Sequence, residues 1–173
     1  LFSTTIAFTI CFAVWTIFAI IGVQIKQDMG LNDTQFSLLI GTPILTGSLI
    51  RLILGIWADQ YGGRPILLMV MISSAICTWL LIYADTYSMM LLTALGVGIS
   101  GGSFVVGISY LSKWYGKDKQ GTALGIYGMG NIGAAVTKFV APFIMVAYGW
   151  HMVAQIWAGV LFVSAIIYWI VTK

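Results

Sequence analysis

The sequence contains no glutamate and only five aspartates, and charged residues make up 8% of its 173 positions. A typical globular domain has about 25% charged residues. So few charges cannot cover the surface of a soluble domain of this length, and the mean hydropathy of +1.01 agrees with that exclusion. The composition therefore predicts a chain whose solvent is a lipid bilayer.

Residues that bind metals or attack substrates are also scarce. The chain has two cysteines and one histidine. Cys11 and Cys77 fall within apolar stretches, and His151 has no Cys, Asp or Glu neighbour at metal-ligand spacing. No nucleophile is paired with a base. The sequence therefore predicts no enzyme, no metal site and no cofactor.

Long apolar runs are what the sequence has in abundance. A membrane-spanning helix needs ~20 mostly apolar residues. Short polar connections separate the runs, and no low-complexity tract divides them, so we expect an all-α membrane protein in which residues 1–173 form one bundle. The six predicted transmembrane helices are 4–24, 36–58, 65–83, 88–111, 121–148 and 152–172.

The basic residues predict the orientation of this bundle. They concentrate in the second and fourth connections and at the end of the chain, whereas the other connections hold only Lys26 beside aspartates. Because cytoplasmic loops carry an excess of Lys and Arg, we expect a multi-pass protein of the cytoplasmic membrane with both ends of the segment cytoplasmic. The residues behind this prediction are Arg64, Lys113, Lys117, Lys119 and Lys173.

One glycine-rich stretch, GMGNIG at residues 128–133, reads as G-x-G-x-x-G, the pattern of dinucleotide-binding loops. Such a loop follows a strand and opens a helix in a soluble domain, whereas this stretch lies inside the fifth span. We therefore predict binding of neither nucleotide nor nucleic acid. Glycines let membrane helices approach closely, and the packing positions that we predict in this span are Gly121, Gly125, Gly130 and Gly133.

Two cations fall deep inside apolar spans. Arg51 lies in the second span, and Lys138 lies in the fifth on the same helical sector as Gly128 and Asn131. A Lys at the centre of the bilayer costs at least about 2.5–3.5 kcal/mol, so we expect both cations to face a cavity or a partner rather than lipid. The alternative for Arg51 is that it snorkels to the membrane surface. No span carries an interior carboxylate, which makes a permeating anion the natural partner.

The segment GIWADQYGGR, residues 55–64, resembles the loop motif that joins the second and third helices in the major facilitator superfamily. The matching residues are Gly55, Asp59, Gly62 and Arg64. The chain departs from the motif at Gln60 and Gly63, where basic residues are usual. The resemblance implies that this loop takes part in conformational change.

The segment GGSFVVGISYLSKWYGKDKQGTALGIYGMGNIGAAVTKFVAP is similar to the fourth and fifth helices of the nitrate/nitrite porter family within that superfamily. With CFAVWTIF and GSLIRLILG, the resemblance covers essentially the whole chain. It implies the N-terminal half of a twelve-helix transporter, built from two inverted three-helix repeats, with the C-terminal half absent. It also implies that Arg51 binds the anion, that Phe12 and Phe104 sandwich planar nitrate, and that Gly128 and Asn131 belong to the substrate-binding signature.

The function implied is secondary active transport of nitrate, and of nitrite, by alternating access. Nitrate/proton symport is the expected coupling, with Lys138 either as the proton-coupling group or as a fixed charge that attracts anions. Three alternatives stay open: nitrate/nitrite antiport, a carrier for another small inorganic anion, and a channel or non-transporting membrane subunit. The expected partners are nitrate or nitrite, the bilayer, protons and the missing half.

Overall fold

The chain folds into six long helical spans and contains no β-strand. The structure is a computed structural model that describes residues 1–173. Each predicted stretch overlaps one span, and most spans begin or end a few residues outside it because polar ends such as KDKQ continue the helix beyond the apolar run. The six spans are Phe2–Met29, Asp33–Tyr61, Gly63–Tyr83, Tyr87–Trp114, Lys117–Tyr148 and Trp150–Val171.

Spans one, four and five each change pitch near their middle, whereas span two is one continuous helix over Asp33–Tyr61. A short 3₁₀ stretch inside a longer helix often marks a hinge; spans four and five each contain one, whereas span one is interrupted by a turn at residues 16–17. The helices of span one are Phe2–Trp15 and Phe18–Met29. Span four consists of Tyr87–Gly98, the 3₁₀ turn Ile99–Gly102 and Ser103–Trp114. Span five consists of Lys117–Gly128, the 3₁₀ turn Met129–Asn131 and Ile132–Tyr148. Span three is Gly63–Leu80 with a final 3₁₀ turn at Leu81–Tyr83, and span six is Trp150–Val171.

Glycines let span one pack tightly against span five. A Cβ built on Gly130 would collide with the ring of Phe8, and one built on Gly133 would collide with the carbonyl of Thr9. Both glycines are buried. Membrane helices associate through such close contacts because lipid gives no hydrophobic drive for association. The 3₁₀ turn of span five is therefore in contact with the middle of span one.

The bundle has two ends of different character. One end carries both ends of the chain, where the Tyr110 hydroxyl donates to the carbonyl of Lys173 at 3.3 Å. At the other end, Asn32 and Gln35 form a reciprocal capping box that starts span two, and Trp150 donates to Asp28 at 3.1 Å. The side of the membrane that each end faces stays a prediction.

Candidate functional site

Arg51 is held in the middle of the bundle by span four. Its Nε donates to the carbonyl of Gly101 at 3.2 Å, which is the only hydrogen bond that its side chain makes within the chain. The guanidinium carbon lies 5.8 Å from the centre of the Phe104 ring and 5.3 Å from that of the Trp15 indole. No ion pair involves Arg51. Its two terminal nitrogens therefore keep their donors available for an anion.

Trp15 is a residue of this site that the sequence reasoning missed. Its indole nitrogen donates to the carbonyl of Pro43 in span two at 2.9 Å. The ring fits between spans two and four because Gly47 and Gly101 have no side chains there: a Cβ on either would come within 2.6 Å of the indole. One signal was present in the sequence, since Trp15 lies in the middle of an apolar run rather than near an end, where membrane tryptophans are enriched. We call Arg51, Trp15, Gly101 and Phe104 the Arg51 cluster.

Aromatic rings connect the Arg51 cluster to span five. Phe8 lies at the centre of this group, with ring centres 5.4 Å from Phe12, 5.5 Å from Phe104 and 4.7 Å from Tyr127. The Tyr127 hydroxyl donates to the Ser103 carbonyl at 2.7 Å. The structure thus brings Phe12 and Phe104, both predicted to contact substrate, into contact with Phe8, whereas their own two rings do not form a pair.

The predicted polar sector of span five faces away from the rest of the chain. Asn131 is exposed and its amide nitrogen donates only locally, to the Gly128 carbonyl at 2.8 Å. Lys138 is exposed and makes no hydrogen bond or ion pair. A Cβ added at Gly121, Gly125 or Gly128 would meet nothing within 4 Å. We call these five residues the open face of span five.

The glycines of span five therefore divide into two groups. Gly130 and Gly133 are buried against span one, whereas Gly121 and Gly125 are exposed and have open space where a Cβ would stand. A packing role for the second pair requires a partner outside residues 1–173, and it stays a prediction. The Asn131 side chain bonds to the Gly128 carbonyl and makes no hydrogen bond to the Arg51 cluster.

A buried chain of hydrogen bonds joins spans one, five and six at the break in span one. Because Ile17 bonds to the Val14 carbonyl at 3.1 Å, the Ala13 carbonyl has no helical N–H partner. The Thr137 hydroxyl donates to that carbonyl at 2.7 Å and accepts from the Trp157 indole at 2.9 Å. The break is thus stabilised by a side chain that neighbours Lys138 in sequence.

The loop motif contacts span four through its aspartate. Ser109 donates to the Asp59 carboxylate at 2.5 Å, and the Lys113 ammonium lies 3.5 Å from the same carboxylate. Lys113 also donates to the carbonyl of Asp59 at 3.0 Å and to that of Ala58 at 3.3 Å. A cation at this position satisfies the last carbonyls of span two. Neither Ser109 nor Lys113 was predicted from the sequence.

The other three motif residues lie where the chain turns from span two to span three. Gly55 packs against Val105, and Gly62 has a φ of +93°, a conformation that suits glycine. Arg64 donates to the Trp169 carbonyl at 2.7 Å and its guanidinium lies 3.9 Å from the centre of that indole. The motif therefore connects span three to span six as well as span two to span four.

The departure from the motif at Gly63 has a structural reason. A Cβ built on Gly63 would collide with the side chain of Tyr110 in span four.

No grouping of three or more His, Cys, Asp or Glu side chains that could hold a metal is present. The chemistry that the described groups can perform is the recognition of an anion by an arginine, together with movement at the helix breaks.

Comparison with known proteins establishes the family. The sequence model of the Major Facilitator Superfamily matches residues 4–173. The chain belongs to the Major Facilitator Superfamily. Together with the six apolar helices, this membership makes it a multi-pass membrane protein and confirms the predicted fold class.

Curated relatives of this superfamily member carry nitrate- and nitrite-related names. The chain is 40% identical over 98% of its length to the "Probable nitrate/nitrite antiporter NarK1" of Thermus thermophilus, and it covers 41% of that protein. It is 34% identical over 91% of its length to the "Nitrite extrusion protein" of Bacillus subtilis, of which it covers 40%. A "Probable nitrate transporter NarT" of Staphylococcus carnosus is also 34% identical. The chain thus spans less than half the length of these relatives, and the resemblance to nitrate/nitrite porters is confirmed.

Solved structures support the fold. A bacterial homologue of the human lysosomal transporter Spinster, in an inward-facing and occupied conformation, superimposes with a TM-score of 0.84 and 22% identity. The match covers 99% of this chain and 43% of the homologue. The unoccupied form of the same protein gives a TM-score of 0.82. This likeness concerns the arrangement of helices alone.

Proposed function

We propose that the full-length protein is a secondary transporter of nitrate and nitrite, and that Arg51 is the anion-binding residue contributed by this segment. Such a protein is a carrier and not an enzyme. The single observation that supports this most is the geometry of Arg51, which lies deep in an apolar span with its Nε bonded to a carbonyl and with no carboxylate beside it. The names of the Thermus, Bacillus and Staphylococcus relatives support the choice of anion.

The chemistry of nitrate suits this arginine. Nitrate is planar and monovalent, and a guanidinium presents a planar fork of donors that can bond two oxygens of one anion. With Nε directed to Gly101, the terminal nitrogens remain to receive the anion. The ring of Phe104 beside the guanidinium offers a flat apolar wall for the face of the anion. In this proposal Phe104 and Phe12 contact the substrate.

The open face of span five is proposed to complete the site together with a C-terminal half. A polar sector that holds Asn131 and Lys138 is costly against lipid, because an intramembrane Lys faces a bundle interior or a water-filled cavity in most proteins. Substrate sites of secondary transporters lie near the bilayer midplane between repeats. Gly121, Gly125 and Gly128 leave room on this face for the close approach of another helix or of a small anion.

Coupling to protons through Lys138 is part of the proposal. An anion that enters a negative-inside cell moves against about 2.3 kcal/mol per 100 mV, so import needs more than one proton per nitrate or exchange for another anion. Nitrate/nitrite exchange is the second candidate, and the name of the Thermus relative favours it. In either case we place the protein in the cytoplasmic membrane, with the end that carries Asp59 and Arg64 in the cytoplasm, because basic loops favour that side.

The proposal is tested with the full-length protein in proteoliposomes. Arg51→Lys keeps the charge but loses the planar fork, and we expect equilibrium nitrate affinity to fall by on the order of tenfold to a hundredfold, as for loss of a charge-assisted hydrogen bond. Arg64→Lys, at the other arginine, is the matched control and should leave nitrate affinity near the wild-type value. Unchanged affinity in Arg51→Lys contradicts the proposed role of Arg51.

A counterflow experiment distinguishes a carrier from a channel. A carrier loaded with unlabelled nitrate should transiently accumulate labelled nitrate, whereas a channel should only dissipate the gradient. Competition by nitrite, but not by chloride or sulfate at the same concentration, is expected for a nitrate/nitrite site. Absence of counterflow with preserved nitrate flux would identify a channel, and equal competition by chloride would identify a general anion carrier.

A further inference from the structure

Trp15 stands at the end of the first helix of span one, directly before the break in that span. Its ring is inserted between spans two and four, in the space left by Gly47 and Gly101. The bond from its indole nitrogen to the Pro43 carbonyl, at 2.9 Å, fixes the rotation of the ring. Trp15 is therefore a rigid flat group held by span two and span four together.

The same two spans hold Arg51. Pro43, Gly47 and Arg51 are spaced four residues apart along span two, so that they follow one another on one face of the helix. The Trp15 indole bonds to the Pro43 carbonyl and packs on Gly47, and it therefore also reaches Arg51. The guanidinium carbon lies 5.3 Å from the centre of the ring. Gly101 contributes to both contacts, since it accepts from Arg51 Nε and packs against the indole.

We propose that Trp15 is the positioning residue of Arg51, which orients the guanidinium fork towards the anion without touching the anion itself. A guanidinium that faces an indole is attracted to the ring and loses freedom to rotate. With Nε already directed to Gly101, the ring selects the plane in which the terminal nitrogens lie. The break in span one follows directly, so a bend there moves the ring and with it the fork.

The proposal rests on the proposed function for its link to nitrate, but the coupling between Trp15 and Arg51 can be observed without any substrate. Full-length protein labelled with 5-fluorotryptophan gives a ¹⁹F resonance for Trp15, assigned by its disappearance in Trp15→Phe. We expect Arg51→Gln to shift this resonance. Arg64→Gln, the matched control, should shift the resonance of Trp169, whose ring Arg64 contacts at 3.9 Å, and leave that of Trp15 in place.

Nitrate affinity then tests the consequence. Trp15→Leu removes the ring and should raise the Kd for nitrate by on the order of tenfold, as expected for loss of a partly desolvated cation–π contact. Trp15→Phe keeps a ring but loses the bond to Pro43, and a smaller rise is expected. Trp150→Phe loses a comparable indole bond, to Asp28 far from the cluster, and should leave the Kd unchanged. In the Arg51→Lys background, Trp15→Leu should change the Kd by much less than in wild type.

The outcomes are distinguishable. An unmoved Trp15 resonance in Arg51→Gln, or an unchanged Kd in both Trp15 variants, overturns the proposal and leaves Trp15 as packing between three spans. An undiminished effect of Trp15→Leu in Arg51→Lys also overturns it, because Trp15 would then touch the anion itself. Where Trp15→Leu fails to fold, Trp15→Phe and the ¹⁹F spectrum decide. Failure of Arg51→Lys to alter nitrate affinity contradicts the proposed function, while the ¹⁹F coupling can still hold.

Discussion

The two intramembrane cations of this chain lie in contrasting surroundings. Arg51 contacts three groups from two other spans: the Gly101 carbonyl, the Trp15 indole and the Phe104 ring. Lys138 is exposed on the open face of span five and has no partner within the chain. The Arg51 cluster is thus formed by spans one, two and four of this chain, whereas the surroundings of Lys138 are not supplied by these residues.

This contrast divides the proposed site into a built part and an open part. A guanidinium fixed by a carbonyl and two rings is ready to bind an anion with little reorganisation, which is how preorganised donors gain affinity. A lysine on a flexible stem is better suited to respond to its surroundings. Changes to the Arg51 cluster should therefore alter affinity and stability, whereas changes to the open face should alter transport and coupling.

The largest expected effect distinguishes two glycines. Gly101→Leu would drive a side chain into Trp15, and overpacking costs about 1–3 kcal/mol or more, so the melting temperature of the full-length protein should fall steeply. A Cβ at Gly128 would meet nothing within 4 Å in this chain, so Gly128→Leu should lower the melting temperature less than Gly101→Leu while it abolishes nitrate transport. Equal thermal stability of the two variants, or full transport by Gly128→Leu, would contradict the contrast between the Arg51 cluster and the open face of span five.

Lys138→Gln is expected to change coupling rather than binding. The variant should lose the acidification of the liposome lumen that accompanies nitrate uptake, while nitrate/nitrite exchange remains measurable. Lys117→Gln, an exposed lysine at the start of span five, is the control and should behave as wild type. If Lys138→Gln acidifies the lumen as wild type does, Lys138 is not the coupling group.

A smaller effect is expected from Thr137→Val, which concerns the side of span five that faces span one. The substitution leaves the buried Trp157 indole nitrogen without a partner, while the Ala13 carbonyl still accepts from the Thr16 hydroxyl at 3.2 Å. The free energy of unfolding should therefore fall by about 1–3 kcal/mol. Thr93→Val removes only local bonds within span four and should cost less. Equal losses would mean that the hydrogen-bond chain does not stabilise the break in span one.

The spans and the position of Arg51 deep inside one of them could be predicted because both follow from local physics. Length and hydropathy define a membrane helix, and the cost of an unpaired cation singles out Arg51 wherever the helices pack. Trp15 could not be assigned to the site in the same way. Its position depends on the packing of spans two and four, where Gly47 and Gly101 together leave room for the indole ring. The contacts of Asp59 with Ser109 and Lys113 were missed for the same reason.

The glycines show where pattern alone is ambiguous. Gly121, Gly125, Gly130 and Gly133 share one stretch of sequence, yet a Cβ would collide with another helix of this chain only at the last two. A small-residue pattern indicates that something comes close, but which helix or ligand does so depends on the three-dimensional arrangement. Span five therefore presents one pair of glycines to span one, while the other pair lies on the open face of span five.

The proposed binding of the anion by Arg51 is tested most directly by a structure of the full-length protein determined with nitrate bound. We expect nitrate within hydrogen-bond distance of the terminal nitrogens of Arg51, with the bond from Nε to Gly101 kept and Trp15 against the guanidinium. Nitrate bound away from Arg51, or a carboxylate of the second half paired with its terminal nitrogens in the nitrate-bound state, would contradict the account.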